Sequence, residues 1–172
     1  MTGSARTALL FLDVDGPLLP FGAGAPQAMG RQARPVGGNP LLDRLAPGLG
    51  ARLRSLPCEL VWATAWMDEA NETIAPLLGL PELPVVDWPE PSETDEEDEW
   101  LGLHWKTRAL LEYAGEHPFA WVDDEITDAD RTWVAAHHRA PTLLHRVDPC
   151  RGLTETDFAV LDAWLRRRPG SA

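Results

Sequence analysis

The sequence predicts an α/β fold in which a parallel sheet of about five strands is layered by helices. Three observations lead there. Short apolar runs of strand length lack polar alternation, as in Leu9-Leu10-Phe11-Leu12, the pattern of strands covered on both faces. These runs alternate with segments of helical spacing. Several also stop abruptly at acids or a hydroxyl: Asp13-Val14-Asp15-Gly16, Thr64 and Asp123-Asp124. The carboxyl ends of parallel strands are where open sheets place their ligands.

Taken in order, the first strand is about Ala8 to Leu12. Residues 16–46 follow, rich in Gly, Pro and Ala, and read as an irregular flap. Leu41, Leu42 and Leu45 continue it as a short extended piece. Pro47 suits the first turn of a helix to about Leu56; an unbroken helix from Pro40 is the alternative, which Pro47 would interrupt. The second strand is Glu59 to Ala63, ending at Thr64, and a helix covers Asp68 to Leu78. Pro84 to Trp88 is a short third strand. Residues 89–103 are an acidic loop: Glu90, Glu93, Asp95, Glu96, Glu97, Asp98 and Glu99 read as a solvated, mobile block. A helix spans Trp105 to Ala114. Phe119 to Val122 is the fourth strand, Asp128 to His137 a helix, and Thr142 to Val147 the fifth strand. Thr154 and Asp157 form a capping box for a last helix, Glu155 to Arg167.

The 172 residues suit a single domain, residues 1–172, with one core. No apolar run approaches the roughly 20 residues that span a bilayer. The short polar start, Met1 to Thr7, lacks the pattern of a signal peptide, and two cysteines, Cys58 and Cys150, give no disulfide framework. The expectation is a reduced, cytoplasmic protein. A net charge of −12 repels polyanions on average and disfavours generic nucleic-acid binding. Most of the eight tryptophans read as packing, although Trp62, Trp66, Trp105 and Trp121 adjoin the segments of interest.

In a parallel sheet the strand ends share one edge. Asp13, Asp15, Thr64, Asp123 and Asp124 therefore converge, joined by Lys106, the sole lysine of the chain. The set suits phosphoryl transfer through an aspartyl phosphate. Like charges held close together call for a divalent cation, most simply Mg²⁺. A lysine and a hydroxyl can bind phosphoryl oxygens. A second acid two residues beyond the nucleophile can move the proton, reached over the site by a sharp turn at Gly16. Asp128 and Asp130 read as helix-start acids, and His137-His138 as surface residues.

This order and spacing resemble the haloacid dehalogenase-like hydrolase superfamily, mostly Mg²⁺-dependent phosphatases and phosphotransferases. Asp13-Val14-Asp15-Gly16 resembles its first motif, Thr64 its second, Lys106 its third and Asp123-Asp124 its fourth, over residues 8–165. The resemblance implies a Rossmann-like three-layer sandwich. It makes Asp13 the nucleophile and Asp15 the general acid/base. Thr64 and Lys106 would bind phosphate. The metal would be held by Asp13, the backbone carbonyl of Asp15 and Asp124, with Asp123 a ligand or its supporting partner. Pro17 departs from the Thr, Val or Ile commoner after the glycine and fixes the backbone just past Asp15.

Superfamily caps are inserted after the first motif or between the second and third. Neither 16–46 nor 89–103 is large enough for a full cap, which implies an open site serving large or partner-presented substrates. The Asp-Val-Asp-Gly-Pro-Leu opening and the Trp-Val-Asp-Asp-Glu segment also resemble a group of small superfamily members. Related small domains occur beside RNA-repair modules, so a nucleic-acid end-processing phosphatase is an alternative, against which the charge argues. The acidic block favours small phosphomonoesters or phosphate presented by a basic partner. Two further rivals are a non-catalytic metal- or phosphate-binding module, opposed by Asp15, and a carbon–halogen dehalogenase, opposed by Asp15 with Asp123-Asp124.

Overall fold

The computed structural model describes residues 6–25 and 40–167. Four parallel strands form the sheet: β1 (Leu9–Leu12), β2 (Glu59–Trp62), β3 (Phe119–Asp123) and β4 (Thr142–Arg146), in the order β2-β1-β3-β4. The helices are α1 (Leu49–Arg54), α2 (Ala75–Leu78), α3 (Glu93–Leu101), α4 (Thr107–Ala114), α5 (Asp128–His137) and α6 (Glu155–Arg166). The architecture is Rossmann-like, with β1 at the centre.

Strand alternation sorts the core into two layers. Leu10 and Leu12 of β1, Trp62, Ala120 and Val122 face Leu49 and Leu53 of α1 and Phe158, Leu161 and Leu165 of α6. Leu9, Phe11, Val61, Phe119 and Trp121 face Ala109 and Leu110 of α4 and Val134 of α5. All four β1 residues are buried, as the unalternated apolar run predicts. The capping box of α6 is present, with Thr154 Oγ1 donating to Asp157 Oδ2 at 2.6 Å and Asp157 N–H returning a bond to Thr154 Oγ1 at 3.4 Å.

Several expectations are corrected. Among the described residues the sheet has four strands, not five. Residues 84–86 pair with β2 only as one isolated parallel bridge, Trp62 with Val85, with Trp62 N–H donating to Pro84 O at 2.8 Å and Val86 N–H to Trp62 O at 2.9 Å. Pro84 lacks a donor and Pro89 follows closely, so no ladder extends. The acidic stretch 89–103 is not a loop throughout: Glu93–Leu101 is α3. Ser92 caps it in a box with Asp95, three acids occupy its first turn, and Gly102 closes it with φ 72°. Acids at a helix N-terminus are favourable to the dipole, and Asp98 accepts Arg108 Nε–H at 2.7 Å, tying α3 to α4.

The piece with Leu41 and Leu42 is a 3₁₀ turn, Pro40–Arg44, rather than extended. The following helix starts at Leu49, after Gly48 at φ 80°, not at Pro47. The helix after β2 runs as a π-turn, Ala70–Ile74, into α2. Its Asn71 accepts Trp62 Nε1–H at 2.8 Å and donates to Leu83 O at 2.8 Å, pinning the edge segment that lacks a ladder. The first part of the expected flap is a docked turn, with Phe21 N–H on Pro149 O at 2.8 Å and Leu153 N–H on Pro17 O at 2.8 Å. The remainder of that flap, 26–39, lies outside the described residues.

Candidate active site at the carboxyl edge of the sheet

Because all four strands are parallel, the residues that follow β1, β2 and β3 emerge on one edge. Pairing with β3 continues past β1: Asp13 N–H donates to Val122 O at 3.1 Å, which fixes Asp13 at the rim. Its Oδ1 accepts Val14 N–H at 2.8 Å, and its Oδ2 lies 3.0 Å from Lys106 Nζ. Lys106 stands at the start of α4 and turns its side chain back to the edge, where Nζ also donates to Asp123 Oδ2 at 2.8 Å. The sole lysine is thus a buried bridge, 3% exposed, rather than a surface charge. Burial opposes its charge, but Asp13 and Asp123 outweigh that and hold its pKa above the usual lysine value.

Asp123 and Asp124 play different parts. Asp123, fully buried, accepts from Lys106, from Trp121 Nε1–H at 3.3 Å and from Glu125 N–H at 3.0 Å. Its oxygens are engaged in orienting Lys106. The Asp124 carboxylate instead faces the turn after Asp15, and its backbone carbonyl accepts Arg146 Nε–H at 2.8 Å. Burial, then the neighbouring Asp123, raises its pKa.

Gly16 explains the close approach. It adopts φ +91°, and a Cβ there would lie 2.8 Å from both Cγ and Oδ1 of Asp124. Gly16→Ala is expected to cost about 1–2 kcal/mol from backbone conformation alone, read as a lowered Tm. It should also displace Asp124 and weaken any cation bound there; unchanged cation affinity would contradict the assignment.

One carboxylate oxygen each from Asp13, Asp123 and Asp124 lies within 4.8 Å of the others. Burial, against the relief given by Lys106 and with Asp123 adding to it, pushes the Asp13 carboxyl up to about 7. A dense, oxygen-only set of acids, of which burial makes Asp13 and Asp124 reluctant to ionise, suits a hard divalent cation, whose charge reverses that reluctance. The second grouping, His104 with Asp123 and Glu125, does not suit one. His104 Nδ1 accepts Lys106 N–H at 3.2 Å, so the ring proton sits on Nε2 and faces Glu125 Oε2 at 3.1 Å. That histidine orients the Lys106 loop.

Thr64, fully buried, follows β2 on the same edge. Its Oγ1 accepts Trp66 N–H at 3.3 Å and its carbonyl accepts Trp88 Nε1–H at 3.1 Å. Asp15 lies outside the acid cluster; its Oδ2 accepts Trp66 Nε1–H at 3.0 Å. Sequence reasoning missed four supporting residues: Trp66, Trp88, His104 and Asp130. Asp130 is more than a helix-start acid. Fully buried, it accepts His104 N–H at 2.8 Å, Thr107 Oγ1–H at 2.6 Å and Thr127 N–H at 2.8 Å, joining the cap of α5 to the loop that presents Lys106. The capping-box spacing of Thr127 and Asp130 was the one sequence signal available.

Beside this centre, an open cleft of about 480 Å³ is lined by Asp95, Asp98, Glu99, His104, Trp105 and Glu125 among others. Trp105 is 51% exposed. It meets the Trp88 ring edge-on at 4.8 Å and lies 5.4 Å from Lys106 Nζ.

Residues 9–158 match the family described as the HAD domain in Swiss Army Knife RNA repair proteins. The chain belongs to this family. In this HAD domain the matched span contains every residue of the edge described above. Comparison of the HAD domain with curated proteins and with solved structures returns no match. Among the described residues, no helix is long and apolar enough to cross a membrane.

Proposed function

We propose that this HAD domain is a Mg²⁺-dependent phosphomonoesterase acting through a phosphorylated Asp13. The observation that carries the reading is the Lys106 bridge between Asp13 and Asp123, beside the carboxylate of Asp124. A nucleophilic carboxylate must meet an anionic phosphoryl group, and this arrangement supplies a fixed ammonium where both charges meet.

Asp13 attacks phosphorus while Lys106 and the Thr64 hydroxyl bind phosphoryl oxygens. Asp15 protonates the departing oxygen, then takes a proton from the water that releases phosphate. Asp13 and Asp124, with the carbonyl of Asp15, would hold Mg²⁺, and Asp123 would keep Lys106 aligned. The cation would offset charge on the carboxylate and phosphate oxygens.

The test is phosphate release from a panel of phosphomonoesters, with and without Mg²⁺, for the parent and Asp124→Asn. Release should require Mg²⁺, and the variant should need at least about 10-fold more of it. Release that ignores Mg²⁺ would refute the reading, whereas cation binding without release would favour the non-catalytic module.

A second reading concerns the substrate. The family description names RNA repair, and the half-exposed Trp105 offers a flat face near Lys106 on which a base next to a terminal phosphate can stack. The acidic cleft argues for a short end rather than a long polyanion, or for a small phosphomonoester or one presented by a basic partner. Trp105→Ala is expected to lower kcat/KM for a phosphate-ended oligonucleotide about 10-fold relative to glycerol phosphate, from stacking worth about 1–3 kcal/mol per base. An unchanged ratio would favour the small or partner-presented substrate.

A further inference from the structure

Trp66, the partner of Asp15, is 51 residues away along the chain. Pairing of β1 with β2 makes them neighbours. Trp66 is fixed from several sides. Its backbone N–H donates to Thr64 Oγ1, its carbonyl accepts Glu69 N–H at 3.0 Å, and its half-buried ring packs on the core below β1. The next residue, Met67, has φ 49°, the single non-glycine residue in the left-handed region among the described residues. That conformation is disfavoured for any residue that carries a Cβ. A strained turn is retained where the surrounding structure over-determines it, and such turns cluster at working sites.

We propose that Trp66 is the positioning residue of Asp15, fixing which of its oxygens carries the proton that the reaction moves. The inference rests on the phosphatase reading. A neutral carboxyl has one O–H oxygen and one that only accepts. The indole N–H on Oδ2 makes Oδ2 the acceptor and leaves the proton on Oδ1. In the first step an Asp13 oxygen bonds to phosphorus, the bond from phosphorus to the leaving oxygen breaks, and the Oδ1 proton passes to that oxygen. In the second, water bonds to phosphorus, its proton passes to Asp15, and the bond between phosphorus and Asp13 breaks to free phosphate. Trp66 gives up no proton or electron in either step.

Trp66→Phe keeps a ring and removes the donor. Pre-steady-state bursts with Mg²⁺ present compare p-nitrophenyl phosphate, whose phenolate departs without a proton, with glycerol phosphate, whose alkoxide needs one. The glycerol phosphate burst should slow about 10-fold or more, and the p-nitrophenyl phosphate burst should change less than about twofold. Added to Asp15→Asn, Trp66→Phe should change neither burst further. Trp66→Gln restores an N–H donor and should keep the ratio of the two bursts near the parent's, even if it melts earlier. Equal slowing on both substrates would overturn the proposal, as would a selective effect that persists in Asp15→Asn, or Gln shifting the ratio as far as Phe. A parent that releases no phosphate from these two substrates or from the wider phosphomonoester panel, with Mg²⁺ present, would refute the phosphatase reading itself, and the role of Trp66 with it.

Discussion

Asp13→Asn is expected to lower phosphate release by on the order of 10⁴-fold or more while leaving the protein folded. The amide is nearly isosteric and can still accept Val14 N–H, but it cannot attack phosphorus. A second consequence separates this variant from a merely damaged one. The Asp13 carboxyl is pushed up to about 7 by burial, Lys106 partly opposing and Asp123 reinforcing it. A folded-state pKa above the unfolded value means a contribution fully present below the unfolded value and lost as pH rises through the folded one. The parent, in chelator, should therefore lose stability between about pH 4 and pH 7 through this group. Asn does not titrate, so Asp13→Asn should melt above the parent at pH 8, with the difference vanishing toward pH 4. Thermal melts across pH with chelator measure this. A variant that melts below the parent at pH 8 would contradict the burial argument.

Lys106→Met is expected to lose both stability and activity. It removes the ammonium between Asp13 and Asp123, both buried. Breaking one side of a buried ion pair costs about 3 kcal/mol or more, equivalent to a fall in Tm of about 6–12 °C in a chain of this size. Lys106 lowers the Asp13 pKa, so its removal raises that value further, and the loss should be larger at pH 8 than at pH 5, where Asp13 takes up a proton. Turnover should fall by about 10²–10³-fold. Lys106→Arg should rescue little, since a planar fork cannot replace a compact charge in a site 3% exposed. The two variants, both inactive, should thus shift Tm at pH 8 in opposite directions.

Much of this arrangement was legible in the sequence because a parallel sheet turns chain order into spatial convergence. Leu9–Leu12 and Phe119–Asp123 are buried along their whole length, so apolar runs without alternation marked them, and the acids beyond them had to share an edge. The lone lysine was legible for lack of a competitor. Trp66 and Trp88 were not. Each reaches its partner, Asp15 or Thr64, across the sheet edge, and no local pattern says where an indole N–H points. Asp130 was half legible: its capping role follows from spacing, its hold on the Lys106 loop from tertiary packing alone. The acid-rich block misled because acids mark both solvated loops and the first turn of a helix, and the Ser92 cap decided for α3. The edge segment misled because it has strand residues between prolines that deny it a ladder.

The most direct measurement of the central claim is to quench turnover in acid with a substrate labelled in its phosphoryl group, digest the chain, and locate the label. The proposed mechanism expects it in the peptide bearing Asp13, as an acid-stable and base-labile acyl phosphate that is absent from Asp13→Asn. Mg²⁺-dependent phosphate release in a single turnover, quenched at successive times, with no label on Asp13 at any of them, or with label on another residue, would contradict it.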